Sequence, residues 1–142
     1  MISETKIKNY TTEVPAERSI AEIEKMLISV GADAIMKNYR GDGRILALAF
    51  KYQGRGYMLP SNSERCAEVI RKISEYRSRP AQWLNEQAER VAWRVLRDWV
   101  DSQLSLIRIG QAEVEQVLLP YMWDGKQSLY DKFKERNFML QG

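Results

Sequence analysis

Basic side chains carry the most suggestive chemistry in this chain. Arg71, Lys72, Arg77 and Arg79 crowd one short stretch, and Arg90, Arg94 and Arg97 follow at helical steps of four and three. At such spacing guanidinium and ammonium groups can lie along a row of phosphates, arginine through paired hydrogen bonds and lysine as a point charge. These seven residues are the candidate contacts to a nucleic-acid backbone. Carboxylates are also within intrahelical reach: Glu86 stands four before Arg90, Asp98 four after Arg94 and Asp101 four after Arg97. A solvated, salt-bridged face accounts for the three later arginines equally well.

Aromatic residues offer a second chemistry, the anchoring of a protein partner. Trp93 stands beside Arg94, Tyr121-Met122-Trp123 forms a compact aromatic patch, and Phe138-Met139-Leu140 is unusually apolar for the last residues of a chain. Trp93, Tyr121, Trp123, Phe138 and Leu140 are the anchors this reading needs. Trp93 serves stacking or partner contact if exposed and core packing if buried. The apolar C-terminal residues either fold back on the chain or meet a second one, so self-association is compatible with both readings.

Catalysis finds little support. The chain has no histidine, which removes Ser-His-Asp and Cys-His arrangements along with imidazole-based zinc sites. A single cysteine, Cys66, excludes an intrachain disulfide and a cysteine-rich metal site. It falls on an apolar helical stripe and reads as a small core residue. No glycine-rich phosphate loop and no clustered acidic motif is evident. Neither a catalytic residue, a metal nor a cofactor is therefore assigned, and a non-enzyme is expected.

With 29% charged and 44% hydrophobic residues over 142 positions, an ordered globular chain is expected. A net charge of +3 and a pI near 9.0 permit nucleic-acid contact without demanding it. Met1 to Lys8 is polar, and no run approaches the roughly 20 apolar residues of a membrane span. Residence in a reducing cytoplasm, with no membrane association, follows as the expectation.

The elements that must position these residues are marked by periodicity and punctuation. Ala81 to Ile109 reads as one long helix between Pro80 and Gly110, with Leu84, Ala88, Val91, Val95, Trp99 and Leu106 at three- and four-residue steps. Its apolar face is broad enough to need partners on more than one side, and Trp99 belongs to the expected core. Upstream, Ser19 and Glu22 stand at capping-box spacing for a helix from about residue 17 or 19 to 30. Three strands follow, Ala34–Tyr39, Ile45–Tyr52 and Gly56–Leu59, joined by glycine-bearing hairpins. In the middle strand Leu46, Leu48, Phe50 and Tyr52 make the bulky face.

Ser61 and Glu64 give capping-box spacing for the next helix, with Cys66, Val69, Ile70 and Ile73 as its buried stripe. Gln111–Leu119 and Ser128–Arg136 read as two short terminal helices. Met1 to Glu13 reads as a tail or a short edge strand. The expected class is α+β: a helix, a three-stranded antiparallel meander, a helix, a long central helix and two short ones. A single domain over residues 1–142 is expected, with an N-terminal α/β layer at 14–79 and a helical layer at 80–142.

Two resemblances accompany this order. Helix, meander, helix resembles the double-stranded RNA-binding domain in element order alone. Here the second helix opens with Ser61-Asn62-Ser63-Glu64, only Arg65 follows, and the histidine usual in that family's first hairpin is missing, so no binding residue carries over. The wording of Arg18-Ser19-Ile20-Ala21-Glu22-Ile23, Ala88-Glu89-Arg90-Val91-Ala92-Trp93-Arg94, Asp98-Trp99-Val100 and Leu119-Pro120-Tyr121 resembles small phage and prophage proteins of unassigned role. That resemblance implies a mobile-element origin and a bacterial host cytoplasm, and it implies no reaction. The leading expectation is a phage-type accessory protein binding nucleic acid non-specifically. The alternative is an interaction module, an inhibitor of a host or defence protein or an assembly factor.

Overall fold

Pro80 and Gly110 bracket the longest element. The computed structural model describes residues 6–140, and in it α3 runs Ala81–Arg108. The Pro80 carbonyl accepts from the Leu84 amide at 3.0 Å, as a residue just outside a helix does. At the other end Gly110 takes φ +80°, and the Gly110 and Gln111 amides close onto the Ile107 and Leu106 carbonyls. That is the left-handed stop only glycine adopts without strain.

The rest is α+β in the expected order. Helix α1 spans Ala16–Ser29 and is followed by β1 (Asp33–Tyr39), β2 (Ile45–Tyr52) and β3 (Arg55–Pro60). The strands form an antiparallel sheet in the order β1-β2-β3. Helix α2 (Ser63–Ile70) precedes α3, and α4 (Val114–Leu118) and α5 (Leu129–Glu135) follow it. Leu48 pairs with Leu59 and Phe50 with Tyr57, and all four are buried. The Phe50 and Tyr57 rings stack at 5.5 Å. Alternation thus buries most of the bulky face of β2, although Leu46 at its open end stays 42% exposed.

Two compact units are distinguishable. Residues 6–23 and 61–101 make up one, and 24–60 and 102–140 the other, the division falling inside α1 and inside α3. In the first unit Ile70, Ile73, Tyr76, Leu84 and Ala88 form a buried cluster, with Ile7, Tyr10, Cys66, Ala67 and Trp83 packed against it. In the second, the chain after α4 returns to the sheet. The Trp123 amide donates to the Gly56 carbonyl at 2.9 Å, and Met122 bridges Tyr57 in antiparallel fashion. A Cβ on Gly56 would stand 3.2 Å from the Trp123 carbonyl oxygen, so glycine permits that close approach.

Several local expectations need correction. Helix α1 begins at Ala16, and its first amides bond to the Pro15 carbonyl. Ser19 therefore lies inside the helix, fully buried, and does not cap it. Pro15 ends the extended approach and fixes the start at Ala16, one to three residues before the expected 17 or 19. In α2 the N-cap is Asn62, with no side-chain cap, so the Ser61–Glu64 box does not form. Val69 is 37% exposed rather than buried.

Helix α4 begins at Val114 rather than Gln111, and Pro120 after it enters a 3-10 turn at Leu119–Tyr121, since proline lacks only an amide that the first turn leaves unused. Of the stretch read as a tail or edge strand, residues 1–5 lie outside the described ones, and 6–13 contain a turn at Lys8–Thr11 and no strand; the Tyr10 amide closes on Ile7 and that of Thr12 on Asn9.

Trp99 is only partly buried and Val95 is 36% exposed, whereas Trp93 is fully buried. At 3.6 residues per turn Trp93 sits nearly opposite Val91. Buried Glu89, Trp93, Val100 and Leu104 repeat at helical steps along that second side.

Among the described residues no helix is long and apolar enough to cross a membrane.

Candidate functional site

The link between α2 and α3 shows how local geometry presents charge. Ile70 at the end of α2, the extended Ile73 and Tyr76 in the 3-10 turn Ser74–Tyr76 are all buried, and with these three anchored in the core Arg71, Lys72, Arg77 and Arg79 are left on the outside. All four are exposed. None of them makes an ion pair among the described residues, the nearby Glu75 being taken by Lys6 at 2.8 Å and Glu68 by Arg65.

Arg79 bends back over the first turn of α3. Its guanidinium carbon lies 4.4 Å from the centroid of the Trp83 ring, a cation–π distance. Trp83 in turn meets Tyr76 edge-on at 4.9 Å, and Tyr76 meets Tyr10 edge-on at 6.0 Å. The Tyr76 hydroxyl donates to the Tyr10 carbonyl at 2.8 Å, and burial is the main reason its phenol is held above the ordinary range.

Gln87, one helical turn beyond Trp83, is 4% exposed and organises what surrounds it. Its Nε2 donates to the carbonyls of Tyr10 at 2.9 Å and Thr12 at 3.0 Å. Its Oε1 accepts from Arg90 Nε at 2.8 Å. A buried amide needs such partners, and here they fasten the N-terminal segment to α3 while fixing one edge of Arg90. Between these groups opens a cavity of about 460 Å³ lined by Arg79, Trp83, Gln87 and Arg90, with Thr11, Thr12 and Glu13 of the N-terminal segment. Two cations, an aromatic face and several hydrogen-bonding groups converge on it.

Arg94 and Arg97 have a different setting. Glu22 of α1 accepts from Arg94 at 3.2 Å and from Arg97 Nε at 2.8 Å. Arg97 also reaches Asp98 at 3.2 Å and Asp101 at 3.4 Å. Arg97–Asp101 is the intrahelical pair expected from spacing. The Glu22 contacts join residues 72 and 75 positions apart, beyond what helical spacing can predict.

Burial pushes the Glu22 carboxyl up, but the hydrogen bond from Arg97 and the charges of Arg94 and Arg97 outweigh it and hold the group below its ordinary range. A depressed carboxylate stabilises the fold above its unfolded value and loses that contribution as pH falls through the folded one. Glu22→Gln should therefore lower stability at neutral pH, and the gap from the parent should close under acid. Denaturant midpoints measured from pH 7 down to about 3 check this; a gap of constant size would overturn it.

Of the aromatic candidates, Trp93 is removed from the surface. It is fully buried because its side of α3 is a second core face, so it anchors no partner. Tyr121 and Trp123 are half-buried, Trp123 being held by its bond to Gly56 and its bridge to Ser128. Phe138 and Leu140 are 56% and 85% exposed. Positive φ at Asn137 and Phe138 turns the chain back, and the Phe138 ring reaches Tyr130 at 5.8 Å, yet Leu140 is left in solvent.

Cys66 is half-buried, and burial, aided by the charge of Glu89, pushes its thiol up to about 11. A thiol so protonated is a poor nucleophile. Reaction with a disulfide reagent at pH 8 should be much slower in the native protein than in denaturant; equal rates would mean that the site is open. Among the described residues no group of three or more His, Cys, Asp or Glu is placed to hold a metal ion.

Sequence reasoning missed Trp83, Gln87 and the N-terminal residues that complete the cavity. Gln87 did leave a signal: it is a polar residue between Leu84 and Val91 on the apolar stripe, where an amide has to find partners. Comparisons with protein-family models, curated proteins and solved structures give no match.

Proposed function

We propose that the protein binds nucleic acid with little sequence preference, through Arg71, Lys72, Arg77, Arg79 and Arg90. The observation that carries this reading is that these five cations, unlike Arg94 and Arg97, have no carboxylate partner among the described residues, while one of them lies over an indole. Unpaired cations beside an aromatic platform suit a flexible single strand, whose phosphates and base faces are both accessible. Arg94 and Arg97 are given a structural role instead. An accessory role of phage type in a bacterial cytoplasm, without catalysis, is the setting we propose for it.

Fluorescence anisotropy of labelled single- and double-stranded DNA and RNA, at low and physiological salt, tests the reading. Single strands should bind, with a log–log salt slope of about −3.5 if five phosphates are contacted at about 0.7 each. No binding of any strand at low salt would overturn it.

A second reading rests on the other unit. Tyr130, Phe138, Met139 and Leu140 are 48%, 56%, 60% and 85% exposed, an apolar run suited to a protein partner. Binding to that surface would be nearly indifferent to salt.

A further inference from the structure

We infer that the cavity beside Gln87 is a site for one phosphate-bearing nucleotide, either free or at the end of a strand. This rests on the nucleic-acid reading and narrows it. A row of exposed cations can only follow a backbone; a partly open cavity of about 460 Å³ lies within the about 300–1,000 Å³ of small-molecule sites. It is larger than a phosphate ion requires and too small for a length of strand.

Its chemistry is divided as a nucleotide's is. Arg90 spends its Nε on Gln87, which fixes the guanidinium plane and leaves the Nη groups as paired donors for phosphate oxygens. Because Gln87 is itself buried and held by two backbone carbonyls, that orientation is set before a ligand arrives. Arg79 lies over Trp83, and the resulting stack offers both in-plane donors and a flat surface of the kind on which bases stack. Glu13 also lines the cavity, and its carboxylate would be an acceptor for sugar hydroxyls that opposes a ligand made of charge alone. The combination selects against bare phosphate and against an uncharged nucleoside.

Calorimetric titration of the full chain with AMP, adenosine and inorganic phosphate tests the site, alongside titration with one oligonucleotide prepared with and without a terminal phosphate. AMP should bind at least about tenfold more tightly than adenosine or phosphate, since the charge-assisted bonds and the stacking act together only in AMP. Arg90→Gln and Arg79→Gln should each weaken AMP about tenfold or more, while Lys126→Gln, at an exposed cation of the other unit, leaves it unchanged. The Arg79 side chain makes no hydrogen bond or ion pair among the described residues, so its variant serves if Arg90→Gln unfolds.

Preference for the phosphorylated oligonucleotide, lost in either variant, assigns the strand end as the ligand; AMP binding without that preference assigns the free nucleotide. If oligonucleotides bind but neither AMP nor the terminal phosphate matters, the cavity site is overturned and the broader reading stands. If AMP binds and oligonucleotides do not, the cavity stands and the broader reading falls.

Discussion

Trp93→Ala lowers the unfolding free energy by about 3–5 kcal/mol, the range for removing a buried aromatic side chain. Trp93 is among the largest fully buried side chains of the described residues, and it lies in the middle of α3, where the backbone has little freedom to close a cavity. A loss of that size is a large share of the about 5–15 kcal/mol that holds a domain folded. Trp99→Ala costs distinctly less, because Trp99 is only partly buried. Trp93→Phe is the milder test: the indole Nε1 has no hydrogen-bond partner among the described residues, so phenylalanine sacrifices volume without breaking a bond. Urea midpoints of the three variants decide the matter, and a Trp99 loss equal to or above that of Trp93 would place the core on the wrong side of the helix.

The triple variant Arg71→Gln, Lys72→Gln, Arg77→Gln weakens single-strand binding about 100-fold at about 0.1 M salt and flattens the salt slope by about 2. Each phosphate contact to a single strand contributes about 0.7 to that slope, hence about 0.7 of a decade at this salt concentration. Stability should scarcely change, since exposed side chains without partners typically move it by less than about 0.5 kcal/mol. Arg94→Gln with Arg97→Gln should give the reverse pattern, an unchanged slope and a less stable protein, because those arginines balance Glu22. Anisotropy titrations paired with denaturation separate the two. Equal loss of binding in both variants would return the phosphate role to the whole arginine row.

The candidate site was legible in part. Crowded basic residues between 70 and 80 stand out in any reading of the chain, and their exposure follows from a short link whose apolar residues must face inward. The cavity was not legible, because its lining comes from positions 11–13 and 79–90, and no local pattern says that a buried glutamine will bring those segments together. The arginine row shows the same limit. Spacing pointed to Asp98 and Asp101 as partners, and Glu22 emerged as the decisive one only when a helix some seventy residues earlier supplied it.

By itself the sequence determined the order of elements, the full extent of β2 and the frame of α3. These depend on alternation, on helical period and on proline and glycine at the ends, all of which act within a few residues. Tertiary structure decided which side of α3 was buried at each point along it, and therefore that Trp93 belongs to the core while Val95 emerges. It also decided which cations were neutralised and which remained available. Both outcomes depend on partners distant in the chain: burial and charge compensation are properties of what a residue meets, and periodicity records only which residues share a face.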